Sequence, residues 1–181
     1  MLNTSCCIVG GGPAGMMLGL LLARAGVKVV VLEKHADFLR DFRGDTIHPS
    51  TLEVISELGL LEEFLKRPHQ EAPEIGVHIG DRMLTVADFT HLPTRCKFLG
   101  FMPQWEFLDF LATQAARYPT FRLIMEAEVI ELQQDRKGAV TGVIARTPDG
   151  DIPINAALTV ACDGRHSRVR DLAHELGPYE V

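Results

Sequence analysis

Apolar positions in the first 33 residues pass through three spacings in turn. Residues 6–9 are a continuous apolar run, the pattern of a strand buried on both faces. Ala14, Met17, Leu18, Leu21, Leu22 and Ala25 then recur at three- and four-residue intervals and predict a helix, with Pro13 in its first turn and Gly26 stopping it. Residues 27–32 form a second apolar strand, ending in Glu33.

Further along, residues 35–49 show little periodicity and read as a loop. Ser50 is the expected N-cap of the next helix, with Glu53 as its capping-box partner. Leu52, Ile55 and Leu58 mark that helix's buried face, Gly59 ends it, and residues 60–66 read as a second short helical piece. Between 67 and 103, four prolines punctuate short apolar runs, and residues 75–79 and 83–86 flank Gly80-Asp81 as a hairpin. Leu108, Leu111, Ala112 and Ala115 predict a helix over 104–117. Residues 121–154 read as an antiparallel meander, with one or two strands over 121–132, a strand over 140–146 and a return strand over 152–154. Turns lie at 135–138 and at Pro148-Asp149-Gly150. A last apolar run, 157–162, ends in Asp163-Gly164.

Composition narrows the class. The 181 residues are 46% hydrophobic and 23% charged, ordinary for a globular chain long enough to bury a sizeable core. A net charge of −6 gives no basic footprint for nucleic acid, and no apolar run reaches membrane-spanning length. The start of the chain has no basic region or cleavage site, so no signal peptide is expected. Cys6, Cys7, Cys96 and Cys162 form no C-x-x-C and read as small buried thiols of a reducing cytoplasm. The histidines show no metal-ligand spacing.

The chemistry lies in the turn between the first strand and helix. Gly10, Gly12 and Gly15 give G-x-G-x-x-G in the strand–turn–helix–strand context that a dinucleotide site requires. Gly10 permits the tight turn, Gly12 lets a pyrophosphate approach the backbone, and Gly15 lets the helix pack on the strand. The helix N-terminus then faces the phosphates. Glu33, 18 residues beyond Gly15, is placed to accept hydrogen bonds from ribose hydroxyls, and its charge disfavours a 2′-phosphate there.

Three stretches together resemble the class A flavoprotein monooxygenases, the family of para-hydroxybenzoate hydroxylase. The first is Gly10 to Gly15 with Gly19, Gly26 and Glu33. The second is Arg43-Gly44 leading into Pro49, Leu52-Glu53 and Leu58-Gly59. The third is Cys162-Asp163-Gly164 followed by Ser167 and Arg170. Pro103-Gln104 is similar to the position of a glutamine that contacts the cofactor. The resemblance implies FAD contacts at Gly10, Gly11, Gly12, Pro13, Ala14, Gly15, Glu33, Lys34, Arg43, Gln104, Val129, Asp163 and Gly164.

It also implies an α/β fold with a Rossmann-like FAD-binding parallel sheet, an antiparallel β-meander crossover and part of a substrate domain. The expected divisions are 1–66 as a first part of the FAD-binding domain, 67–103 as a partial substrate-domain sheet, and 104–181 as the second part. The family's later G-D motif has no counterpart after Arg170, so the chain is expected to be the N-terminal part of a larger protein. The implied activity is hydroxylation of an aromatic or other hydrophobic organic substrate, with NAD(P)H as co-substrate and O₂ as oxygen source. The cofactor supplies the hard chemistry, so no nucleophile or triad is expected. The alternatives are another flavin-dependent oxidoreductase on the same fold, such as a reductase or halogenase, a NAD-dependent dehydrogenase, which Asp163-Gly164 disfavours, and a non-catalytic FAD-binding remnant.

Overall fold

The computed structural model describes residues 1–39 and 45–174. In chain order the elements are β1 (Leu2–Val9), α1 (Pro13–Arg24), β2 (Val29–Leu32), β3 (Thr46–Ile47), α2 (Pro49–Glu57), α3 (Leu61–Phe64), β4 (Gln70–Ala72), β5 (Glu74–Ile79), β6 (Arg82–Asp88), β7 (Leu99–Phe101), α4 (Gln104–Ala115), β8 (Phe121–Ile124), β9 (Glu128–Gln134), β10 (Val140–Thr147), β11 (Gly150–Ala161) and α5 (Arg168–His174). They fall into two compact units, Met1–Phe38 with Leu108–Val181, and Leu39–Phe107.

The first unit is built on a six-stranded sheet in the order β8-β2-β1-β11-β10-β9. Its first four strands are mutually parallel, and β10 and β9 continue it antiparallel. One face is an aliphatic core that includes Cys7, Val9, Val30, Leu32, Val129, Val143 and Ile154, closed by Val169 of α5. The opposite face carries α1. Gly19 permits that contact, because a Cβ there would lie 2.8 Å from Val31 and 3.0 Å from the Phe121 ring. Met16, Leu20 and Ala23 are buried on the same helical stripe, and each large side chain so buried contributes about 1.5–3 kcal/mol. Gly26 then adopts φ +79°, the left-handed residue that ends a helix at little cost.

The register decides where a ligand could sit. Val9 pairs with both Leu32 and Ala161. The residues that follow, Gly10, Glu33 and Cys162, therefore leave the sheet along one edge, the carboxyl end of the parallel strands, where open α/β sheets bind ligands.

Several elements differ from the hydrophobic pattern. The runs at 152–154 and 157–162 are one strand, β11, which pairs antiparallel with β10 up to Asn155 and parallel with β1 from Ile154 onward. Gly142 makes the crossover possible, since a Cβ there would strike the Ile154 carbonyl. The segment 121–132 is two strands, and the first, β8, is the parallel edge beside β2, not part of the meander. Ser50 does not cap α2. The helix starts at Pro49, with His48 as N-cap and no side-chain cap, because proline at the first position already fixes a helical φ. The Glu53 carboxylate instead accepts the Arg95 N–H at 2.9 Å.

The second unit holds a three-stranded sheet in the order β3-β7-β4, the hairpin β5–β6, and α2 with α3. Leu52, Ile55 and Phe64 are fully buried, and Phe64 meets Phe107 edge-on at 5.9 Å. Arg67 donates to Glu106 at 2.7 Å. The hairpin matches its expected place, but β3 lies inside the segment read as a loop. Its two residues are too short for a periodic signal.

Candidate functional site: a glycine turn at the carboxyl edge of the parallel strands

Each glycine of the turn meets a different neighbour. Gly10 sits at φ +109°, and a Cβ on it would strike the Cys162 carbonyl and come 2.8 Å from the Asp163 Cα. A Cβ on Gly15 would run into the Gly10 carbonyl oxygen. Gly11 faces Glu33, whose Cβ would be 2.8 Å away. Gly12 has nothing within 4 Å of its Cβ position. Three glycines are thus required by contacts within the chain, while Gly12 faces open space beside the start of α1.

That helix start fits an anion. Gly12 is its N-cap, no side chain caps it, and its first turn carries no acidic residue. The first N–H groups of a helix lack intrahelical partners, and the dipole adds positive charge there. A twelve-residue helix, an open glycine and N–H groups free of acidic competition suit a pyrophosphate. Pro13 and Ala14 occupy the first turn; proline there removes no hydrogen bond.

Glu33 is only 6% exposed. Its Oε2 accepts the Gly11 N–H at 2.9 Å and its Oε1 accepts the His35 N–H at 3.0 Å. The carboxylate therefore braces the glycine turn from across the edge. Each carboxylate oxygen can accept more than one hydrogen bond, so bracing the turn is compatible with accepting ribose hydroxyls. The backbone is fixed as well: Glu33 N–H donates to Ile124 O and Ala127 N–H donates to Glu33 O, both at 2.9 Å. Lys34 follows on the exposed bend.

Asp163 lies across β1 from this bend. Its Oδ1 accepts the Ser167 hydroxyl at 2.5 Å and its Oδ2 accepts the Val169 N–H at 3.1 Å. Ser167 Oγ in turn accepts the Arg170 N–H at 3.0 Å, and the Arg170 guanidinium donates to the Arg165 carbonyl at 2.7 Å. This network fixes the start of α5, and Gly164 at φ +83° makes the turn into it. The D-G-x-x-S spacing carries the signal for Ser167, as the hydroxyl that links an aspartate to the helix start it caps.

The register gathers Gly10–Gly15, Glu33, Asp163 and Gly164 at one edge. Val129 is 3% exposed and its side chain belongs to the core, so a contact with a ligand would have to use its main chain. Gln104 opens α4 in the second unit. Arg43 lies outside the described residues. The thiols near the edge are held protonated. Burial pushes Cys7 up to about 12, with Cys6 adding to the effect. Burial also raises Cys162, helped by the charge of Asp163.

A family described as FAD binding domain matches residues 3–176. The chain belongs to this FAD-binding family. It is 32% identical over 171 residues to 6-methylpretetramide 4-monooxygenase of Streptomyces rimosus, covering 94% of this chain and 41% of that protein. It is 33% identical over 165 residues to a rifampicin monooxygenase of Streptomyces venezuelae, covering 91% of this chain and 33% of the relative. The solved p-nitrophenol 4-monooxygenase of Pseudomonas putida superimposes with a TM-score of 0.80 at 26% identity, covering 94% of this chain and 43% of that one. The chain therefore spans about a third to two fifths of the length of these relatives. The α/β fold with its mixed sheet is the FAD-binding fold of these neighbours, and the glycine turn, the uncapped α1 and Glu33 fit that cofactor.

Proposed function

We propose that the chain holds FAD across the carboxyl edge of its parallel strands, as part of a flavoprotein monooxygenase that hydroxylates an aromatic or hydrophobic substrate with NAD(P)H and O₂. The observation that carries the reading is the turn itself: Gly12 alone among its glycines faces open space, at an uncapped helix start, beside a buried carboxylate. Residues 12–15 would receive the pyrophosphate, with Gly10 and Gly11 setting the turn. Glu33 would accept the ribose hydroxyls, and its charge would oppose a 2′-phosphate. Lys34, the main chain of Val129 and the Asp163-Gly164 turn would border the same molecule, and Arg43 and Gln104 would complete its contacts. Bound FAD would supply the redox and oxygen chemistry, while these residues bind and orient it.

The names of the relatives support an aromatic substrate for the whole protein. Four free thiols fit a reducing cytoplasm. We divide the chain into FAD-binding parts at 1–66 and 104–181 and a substrate-domain part at 67–103.

The test is to titrate the cofactor-free chain with FAD and follow the flavin spectrum, then to measure oxygen uptake with NAD(P)H across a panel of aromatic compounds in the whole protein of which the chain is proposed to be part. Stoichiometric FAD with substrate-stimulated oxygen uptake is the expected result. Absence of FAD binding removes the reading, and FAD binding with no oxygen uptake for any compound favours a non-catalytic role.

A further inference from the structure

The six-stranded sheet contains an apolar stretch that is covered along one edge only. Residues 156–161 of β11 read A-A-L-T-V-A, with no charge and no proline. Residues 158–161 pair with Cys6–Val9 of β1, which are 0–5% exposed. Leu158 is nevertheless 58% exposed, and Ala157 and Ala161 are exposed as well. An apolar strand in the parallel part of a sheet is normally buried on both faces, and an open strand edge is normally blunted by charge or proline.

Two covers are missing among the described residues. The first is a strand. β10 pairs with β11 only up to Asn155. The turn before β10 closes through the Asp135 N–H, which donates to the Ala139 carbonyl at 2.9 Å, so β10 begins at Val140 and has no further residues to extend the pairing. No other strand takes its place beside 156–161, where alternate N–H and C=O groups point away from β1. The second is a helix. Leu158 is level with Cys6 and Val160 with Ile8. Ile8 faces α1, since a Cβ on Gly15 would lie 3.2 Å from its Cγ2. Through Gly19, however, α1 packs on Val31 and Phe121, toward β2 and β8, and leaves Leu158 bare.

We propose that residues 156–161 are the docking edge for a further parallel strand, supplied by the part of the whole protein that follows this chain, and that a helix joined to that strand covers Leu158 and Val160. The orientation follows from what is missing. A parallel strand is reached by a crossover connection, usually a helix lying on a face of the sheet, and a strand at the edge and a helix on the face are the two covers that β11 lacks. The length of the relatives allows it: this chain covers 41% and 33% of two of them, so more than half of each lies outside the match. The inference rests on the function proposed above only in taking the chain as part of a longer protein. It needs neither FAD nor catalysis.

Hydrogen exchange in the whole protein, with and without FAD, tests the edge directly. The amides of residues 157–161 that point away from β1 should exchange roughly a hundredfold or more slowly than an open edge allows, and about as slowly as those of β2. Fast exchange at these amides while β2 is protected overturns the proposal. Protection that grows with protein concentration identifies a second copy as the occupant and overturns it too. Leu158→Lys probes the face. It should lower the melting temperature of the whole protein, where the lysine would lie between sheet and helix, and leave that of the 181-residue chain unchanged, where the side chain is already 58% exposed. An unchanged melting temperature in the whole protein overturns the proposal. Should the 181-residue chain not fold by itself, the exchange pattern of the whole protein decides. Failure of the FAD reading would look different, since FAD would not be taken up while the protected amides persisted in the cofactor-free protein.

Discussion

The turn at Gly10–Gly15 and the hairpin β5–β6 are both short stretches between strands, yet they are determined in opposite ways. In the turn, nearly every atom position is set by another part of the first unit: Gly10 by Cys162, Gly15 by Gly10, Gly11 by Glu33. In the hairpin, Val77, Ile79, Met83, Leu84 and Val86 are exposed by 43–63%, and its strands pair only with each other in its sheet. Sequence specifies the turn through steric necessity and buried hydrogen bonds. The hairpin it specifies through local pairing and a Gly80 turn, while the apolar side chains remain largely accessible, a surface of the kind that elsewhere marks an interaction site.

The strongest way to break the comparison is within the turn. Gly15→Val should prevent folding, because its Cβ would occupy the position of the Gly10 carbonyl; a loss above about 4 kcal/mol is expected from such a backbone clash, read by chemical denaturation. Gly12→Val, three residues away, should leave the unfolding midpoint within about 1 kcal/mol of the parent and yet purify without flavin. Equal damage from the two would mean that Gly12 is a packing glycine.

Glu33→Ala should weaken FAD by about tenfold or more, the value of a charge-assisted hydrogen bond, as measured by titration of the cofactor-free protein. Unchanged affinity would leave Glu33 as a brace for Gly11 and nothing more.

Cys7 gives a pH effect of smaller size. Its folded value of about 12 stands above the 9.0 of an ordinary thiol, so the unfolded chain loses its proton first as pH rises. The stability this contributes is complete below pH 9 and declines between 9 and 12, by about 1.4 kcal/mol at pH 10. Melting curves at pH 8 and 10 should converge more in Cys7→Ala than in the parent.

Smallest of all, Ile79→Lys on the hairpin should change stability by no more than about 0.5 kcal/mol. A loss of 2 kcal/mol or more would show that the exposed hairpin is as tightly determined as the turn.

The turn was legible because its signals are local: glycine spacing, Pro13 and the acid after β2 all lie within 33 residues. What the pattern missed is pairing. Nothing in residues 121–124 distinguishes a meander strand from a parallel edge, because that depends on where β2 lies. A strand such as β11 that exchanges an antiparallel neighbour for a parallel one gives no single period, and Asn155-Ala156 looks like a break although the backbone runs straight through. Ser50 and Glu53 met the capping spacing, but Pro49 begins the helix and Arg95 takes the glutamate. A cavity in the second unit was invisible for the same reason, since its walls come from residues 45–46, 68–70 and 101–103.

The pairing of Leu2 with Ile154 also sets the order in which the protein can assemble on the ribosome. At roughly 5–20 residues per second, β1 emerges roughly seven to thirty seconds before β11. For that interval the apolar strand of residues 6–9 can pair with β2 on one side, while the side meant for β11 stays an open edge. Closing it brings together segments about 150 residues apart in sequence, a slow step for a chain of this size. The glycine turn, which has Cys162 and Asp163 as neighbours of Gly10, cannot take its final shape before β11 has emerged.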